Sequence, residues 1–292
     1  MIESGALTTP DPLSLHVALA KLKSEGCDHV IMEASSHGLD QRRLDGVQFQ
    51  AAGYTNLTRD HLDYHADMQT YRDAKLRLFK DLLVEDGAAV INVDDPEHMP
   101  FMMSALDRGA TLLTVGRAGA FMEIGTVARE GWGQRVKGKL VGEEVEFVLP
   151  LAGAFQVSNA MIAAALVLAT GMHRDLVIPA LERLQGARGR LERVATPRGA
   201  AIFVDYAHTP DALETALNAL RPYATGKLKV VFGAGGDRDR GKRPIMGEIA
   251  NKLADDVIVT DDNPRREDAS QIRREIMQAA QNASEIADRA EA

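Results

Sequence analysis

Asp60, His61, Asp63, His65 and Asp67 crowd into eight consecutive positions. Carboxylates and imidazoles at that density can hold a divalent cation or move protons. Directly afterwards Tyr71, Ala74, Leu78, Phe79 and Leu82 recur at helical spacing and predict a helix with one apolar face. At 100° per residue Lys75 falls on that face, between Tyr71 and Leu78. A lysine so placed must be neutralised, paired or modified. One outcome is a desolvated amine that adds CO2 to become a carbamate, a metal-binding carboxylate. The other is an ordinary amphipathic helix whose lysine reaches along the apolar surface to water. Periodicity alone leaves both open.

Three further stretches sit where a strand should end. Gly233–Pro244 (GAGGDRDRGKRP) has glycines for close backbone approach and basic side chains for anions, ahead of a helix. It is not a dinucleotide fingerprint, because Arg238 stands where GxGxxG needs its last glycine, and no GxxxxGK[ST] occurs anywhere. Asp262-Asn263-Pro264-Arg265 is a turn signal whose arginine can fork onto a carboxylate, while Asp262 and Asn263 suit an ammonium or amide. In Asp205–Asp211 (DYAHTPD) a helix cap by Thr209 accounts for part of the pattern.

The elements needed to position these residues predict an α/β protein. A helix over Leu13–Ser24 turns Leu15, Leu19 and Leu22 inward, and a buried strand over Asp28–Ala34 runs into Ser35-Ser36-His37-Gly38. Strands follow at Gln50–Thr55, Gly87–Val93 and Ala110–Val115, with a helix near Pro96–Asp107. Phe121–Leu149 alternates like antiparallel strands, and helices cover Ala154–Thr170 and Asp175–Leu184. The glycines and charges of Gln185–Arg190 predict a linker, dividing residues 1–187 from 188–292. Beyond it, strands Ala200–Tyr206, Lys227–Ala234 and Asp256–Thr260 alternate with helices Pro210–Tyr223, Pro244–Leu253 and Ala269–Ser284. That alternation predicts a parallel, right-handed sheet, small enough to look cut short.

Composition narrows the class. Hydrophobic content of 45% and charged content of 26% are ordinary for a globular protein. A net charge of −8 argues against a general nucleic-acid binder, although Arg238–Arg243 leaves a local anion site open. Cys27 is the single cysteine, which excludes an internal disulfide and fits a reducing cytoplasm. No signal peptide is visible, and the longest apolar run, Met161–Thr170, is too short to span a bilayer. A soluble cytoplasmic protein is expected, with no nucleic-acid or membrane partner.

In chain order TTPD, EASSHGL, NLTRDHLDYH, AKLRLF, GAFQVSN, GRLE, DYAHTPDALE, GAGGDRDRGKRP and DNPR together resemble the Mur ligase family, over nearly the whole chain. These are the ATP-dependent amino-acid-adding enzymes of peptidoglycan synthesis. The resemblance implies a central ATP-binding domain, a mostly parallel sheet plus a small antiparallel one, followed by a truncated Rossmann-like C-terminal domain. It implies that Lys75 is carbamylated and binds Mg2+ with Glu33 and His61. Thr8, Thr9, Ser35, Gln41 and Arg43 would contact a UDP-muramoyl dipeptide. Asn159, Arg190, Asp205 and His208 would belong to the ATP site. Arg238, Asp262, Asn263, Pro264 and Arg265 would take the incoming amino acid, and DNPR is the form associated with meso-diaminopimelate. The implied reaction forms an acyl phosphate on D-glutamate, which the diaminopimelate amine then attacks, in a monomeric enzyme.

Departures from the family pattern matter too. His65-Ala66-Asp67-Met68 stands where the family reads HGDM, a minor change. The phosphate loop, GTNGKT-like, that precedes TTPD in the family is absent, as is the uridine-binding domain, and a GKGHE segment would fall beyond Ala292. A fragment is expected, one that neither hydrolyses ATP nor ligates at an appreciable rate. The alternatives are a lysine-adding or folylpolyglutamate synthase-like ligase of the same fold, and a non-catalytic amino-acid-binding remnant.

Overall fold

Helix α1 (Pro12–Ser24) begins where Asp11 accepts the Ser14 amide and Pro12 presets the backbone of the first turn. Ser35 caps the short α2 (Ser36–Asp40). In the computed structural model, which describes residues 7–292, the chain then builds β1 (Phe49–Tyr54) and α3 (Met68–Arg77). A reciprocal Asp67–Thr70 capping box starts α3, and a π-turn over Leu78–Leu82 ends it. Next come β2 (Leu83–Asn92), α4 (His98–Asp107), β3 (Thr111–Gly116), β4 (Met122–Glu130), β5 (Gly133–Leu140) and β6 (Glu143–Leu149). These strands form one six-stranded sheet in sequence order. It is parallel from β1 to β4 and antiparallel from β4 to β6.

Alternation along β2 shows how that sheet is covered. Val90 packs with α5 (Ala154–Ala169) and α6 (Arg174–Leu181), whereas Ala89 and Ile91 face the opposite way, onto Phe79, Phe101 and Tyr71. All three β2 residues are fully buried, as expected of a parallel strand with both faces covered. The predicted inward face is also found, along α3 and the π-turn that follows it: Tyr71, Ala74, Phe79 and Leu82 are buried and Leu78 partly so.

The rest of the chain holds β7 (Glu192–Ala195), β8 (Ile202–Val204), α7 (Pro210–Leu220), β9 (Lys229–Phe232), α8 (Lys242–Leu253), β10 (Asp256–Val259), α9 (Ala269–Met277) and β11 (Ser284–Glu285). A three-stranded parallel sheet runs β11-β10-β9, with Leu213, Leu217, Met246, Val259 and Ile276 in its core. Among the described residues no helix is long and apolar enough to cross a membrane.

Three elements differ from expectation. Asp28–Ala34 forms no strand and pairs with none among the described residues, and Ile31 is 82% exposed, because an apolar run becomes a strand only beside a partner. The strand expected over Ala200–Tyr206 shortens to β8 and pairs antiparallel with β7, a short strand just past the predicted linker that the sequence did not single out, instead of joining the parallel sheet. The helix expected to reach Ser284 stops at Met277, and Ser284–Glu285 joins β10 as the third parallel strand.

Candidate active-site cleft

A cleft of about 1440 Å³ lies between the carboxyl end of β1 and the loops that follow β8, β9 and β10. Its first wall is the segment Thr55–Asp63, fixed from beneath. Tyr54 stacks on Phe101 at 3.9 Å and its hydroxyl bonds Asp95. Asn92 Nδ2 donates to the Thr55 carbonyl at 2.7 Å, and Leu57 is buried. His61 sits at φ +55°, a left-handed backbone that costs a side-chain-bearing residue energy. Its amide donates to its neighbour Asp60 at 2.8 Å, and its ring stands edge-on to His37 at 4.8 Å.

Lys75 reaches the same wall from α3, its amine 5.0 Å from the Tyr71 ring centre. Burial pushes its pKa down, opposed by the carboxylates of Glu33 and Asp60. Among the described residues the amine has neither a hydrogen-bond acceptor nor an ion-pair partner. Lys75, Glu33 and His61 all line the cleft. Among the described residues no three His, Cys, Asp or Glu side chains can by themselves hold a metal ion. A carbamate on the unpartnered Lys75 amine would add the missing carboxylate to Glu33 and His61, a donor set that suits a hard cation. The residues present fit Mg2+ on that condition.

The opposite wall is cationic. His208 Nε2 lies 3.6 Å from Asp60 Oδ2, which lifts the His208 pKa above its usual value. Burial would raise the Asp60 pKa, but bonds from His208 and His61 outweigh it and hold the carboxyl at about 2. Arg238 pairs with Asp63 at 2.7 Å and Arg59 with Asp239 at 3.3 Å, so ion pairs cross the cleft at several points. Arg190 stacks over Tyr206 at 5.3 Å. Asp262, Asn263 and Arg265 line the cleft beside Arg238.

Thus Thr8, Glu33, His61, Lys75, Arg190, Asp205, His208, Arg238, Asp262, Asn263 and Arg265 come together. Other expected residues stay off the cleft lining. Thr9 is fully buried and spends its hydroxyl on the Glu33 carbonyl and on Ser35. Arg43 donates to Gln41 and to the Thr9 carbonyl, and Gln41 to Tyr64, in a network next to the cleft. Asn159 is exposed on α5, and Pro264 gives its carbonyl to the Glu267 amide. Asp205 lines the cleft, but both its oxygens accept backbone amides, from Leu191 and Ala207, so it shapes the loop. Two partners were not singled out by sequence. Asp60 was legible only as one acid in a cluster, and Lys242, whose amine donates to the His208 carbonyl at 2.7 Å, only as part of a basic run.

Comparison with known proteins matches residues 1–167 to the Mur ligase middle domain and residues 189–292 to the Mur ligase, glutamate ligase domain. The UDP-N-acetylmuramoyl-L-alanyl-D-glutamate--2,6-diaminopimelate ligase of Chelativorans sp. (strain BNC1) is 56% identical over 99% of this chain. A solved structure of a ligase of that name superposes with a TM-score of 0.67 at 36% identity, covering 97% of this chain and 59% of that one. A Mycobacterium tuberculosis folylpolyglutamate synthase complexed with ADP and AMPPCP shares the fold, with a TM-score of 0.66 at 22% identity over 82% of this chain and 54% of that one. The chain spans about 60% of the length of the curated relatives it matches.

Proposed function

The chain belongs to the Mur ligase family, and from that premise we propose that it serves an ATP-dependent ligase joining meso-diaminopimelate to a UDP-N-acetylmuramoyl-L-alanyl-D-glutamate acceptor in cell-wall synthesis. One observation carries the reading: Arg238, Asp262, Asn263 and Arg265 share a cleft with Lys75, His61 and Glu33. In the same proposal residues 1–187 and 188–292 form two domains, with the cleft between them. A monomeric cytoplasmic enzyme is part of the same reading.

The chain's own residues divide the work. Arg238 and Arg265 bind the carboxylates of a diacid, while Asp262 and Asn263 face an ammonium group. Arg190 on Tyr206, with His208, borders the space for the nucleotide. Glu33, His61 and carbamylated Lys75 would hold Mg2+, which when bound neutralises charge spread over the transferring phosphoryl group. Thr8, and the Thr9–Ser35–Gln41–Arg43 network next to the cleft, would border the UDP-muramoyl dipeptide, and Asn159, Asp205 and Pro264 would act from outside the reacting centre. The D-glutamyl carboxylate attacks the γ-phosphorus of ATP, releasing ADP. The diaminopimelate amine then attacks the acyl phosphate, and phosphate leaves from the tetrahedral intermediate.

An isotope experiment tests this in a chimera in which these residues replace the matching segment of the Chelativorans relative. With 18O in the D-glutamyl carboxylate, one labelled oxygen passes into the released phosphate. Label that stays out of phosphate overturns the acyl-phosphate route. Equal turnover with L-lysine overturns the diacid assignment.

A further inference from the structure

We infer that Arg243 is a positioning residue for the amino-acid site: it locks the Gly233–Lys242 loop to the Asp262–Glu267 turn and so fixes the separation of Arg238 and Arg265. The inference rests on the diacid reading above and deepens it.

Arg243 lies in the first turn of α8 and its side chain has no exposed surface at all. Its guanidinium forks onto Glu267, Nη2 to Oε1 at 2.8 Å and Nη1 to Oε2 at 3.1 Å. Nη1 also reaches Glu275 on α9 at 2.7 Å, and Nη2 reaches the Gly235 carbonyl at 3.4 Å. Glu267 passes the restraint on, because its Oε1 accepts the Asp237 amide at 2.6 Å, one residue before Arg238. Within the same unit the Gly236 amide donates to the Asn263 carbonyl at 2.9 Å, and Arg265 Nη1 donates to the Gly236 carbonyl at 2.7 Å. The loops touch so closely that a Cβ on Gly236 would lie 1.9 Å from the Pro264 carbonyl oxygen.

Both flanking positions need such a restraint. Asp237 and Arg265 sit at φ of +51° and +50°, where residues other than glycine are rarely stable unless held. The Glu267 bond holds the first and the Gly236 carbonyl holds the second. A buried arginine–glutamate pair is a poor way to gain stability, since apolar side chains of similar size often serve better. What the fork supplies is a fixed distance and angle between two loops. Arg238 and Arg265, projecting from those loops, thereby keep the spacing of two carboxylates on one ligand.

Hydrogen exchange and calorimetry with meso-diaminopimelate on the 292-residue chain test this with Arg243→Lys, Glu267→Gln and Glu275→Gln. In the first two, the Asp237 amide exchanges at least ~10-fold faster while the amides of β9 and β10 keep their protection. Affinity for meso-diaminopimelate falls at least ~10-fold in the same two variants. Glu275→Gln, which frees only the contact to α9, leaves both readings within ~2-fold. Unchanged Asp237 exchange, a rise shared by β9 and β10 in both variants, or undiminished affinity overturns the inference. A wild-type chain that binds no meso-diaminopimelate sinks the diacid reading and the positioning role with it, whereas binding that survives both variants sinks the role of Arg243 alone.

Discussion

Asp60 Oδ2 and His208 Nε2 meet across the cleft at 3.6 Å, the first carried by the loop after β1 and the second by the loop after β8. The contact raises the His208 pKa, so its stabilisation is complete below the ordinary histidine value of 6.5 and is lost as pH rises through the raised value. Asp60 is held at about 2, so its share is present above the ordinary 3.8 and is lost as pH falls towards 2. Half-exposed pairs contribute ~0–1 kcal/mol. His208→Gln is therefore expected to melt at most ~4 °C below wild type between those limits. The gap closes at alkaline pH, as thermal melts over a pH series will read.

Arg238 already holds a carboxylate, that of Asp63 at 2.7 Å, which a diacid taking the proposed site would have to displace. Asp63→Asn is expected to tighten meso-diaminopimelate binding by up to ~5-fold, the scale of an exposed ion pair. Arg238→Ala is expected to weaken it at least ~10-fold. Calorimetry on both variants checks the pair of effects.

Tyr54 is buried and gives its hydroxyl to Asp95, which also accepts the Glu97 amide at 3.0 Å. Tyr54→Phe removes one donor from a buried carboxylate and is expected to cost about 1.5–3 kcal/mol. Chemical denaturation will measure it, and a loss below ~0.5 kcal/mol would contradict the packing described.

Burial keeps the Lys75 amine more easily deprotonated than an ordinary lysine, and a free amine is the form that adds CO2. With 13C-bicarbonate, a carbamate carbonyl signal is expected in the wild-type spectrum and its absence in Lys75→Arg. In the chimera the same substitution is expected to lower ligation at least ~100-fold.

Local patterns carried much of this into view. The face of α3 was legible because helical periodicity needs no distant partner, and the motif strings pointed to Glu33, His61 and Lys75, which the fold brings to one cleft. What stayed hidden depends on contacts far apart in sequence. Arg238 and Asp63 are 175 residues apart, and nothing in either stretch marks its partner. Ile31 reads as core, yet its segment has no neighbouring strand among the described residues. Arg243 looks like the other basic residues of its loop, and only its packing shows it to be the buried one.

Titration calorimetry of the chain with meso-diaminopimelate against L-lysine, in wild type and in Arg265→Ala, tests the central claim most directly. A second carboxylate gripped by arginine predicts at least ~10-fold tighter binding of the diacid, reduced to near parity in the variant. Equal affinity for the two amino acids in the wild-type chain, or a preference untouched by the substitution, would contradict it.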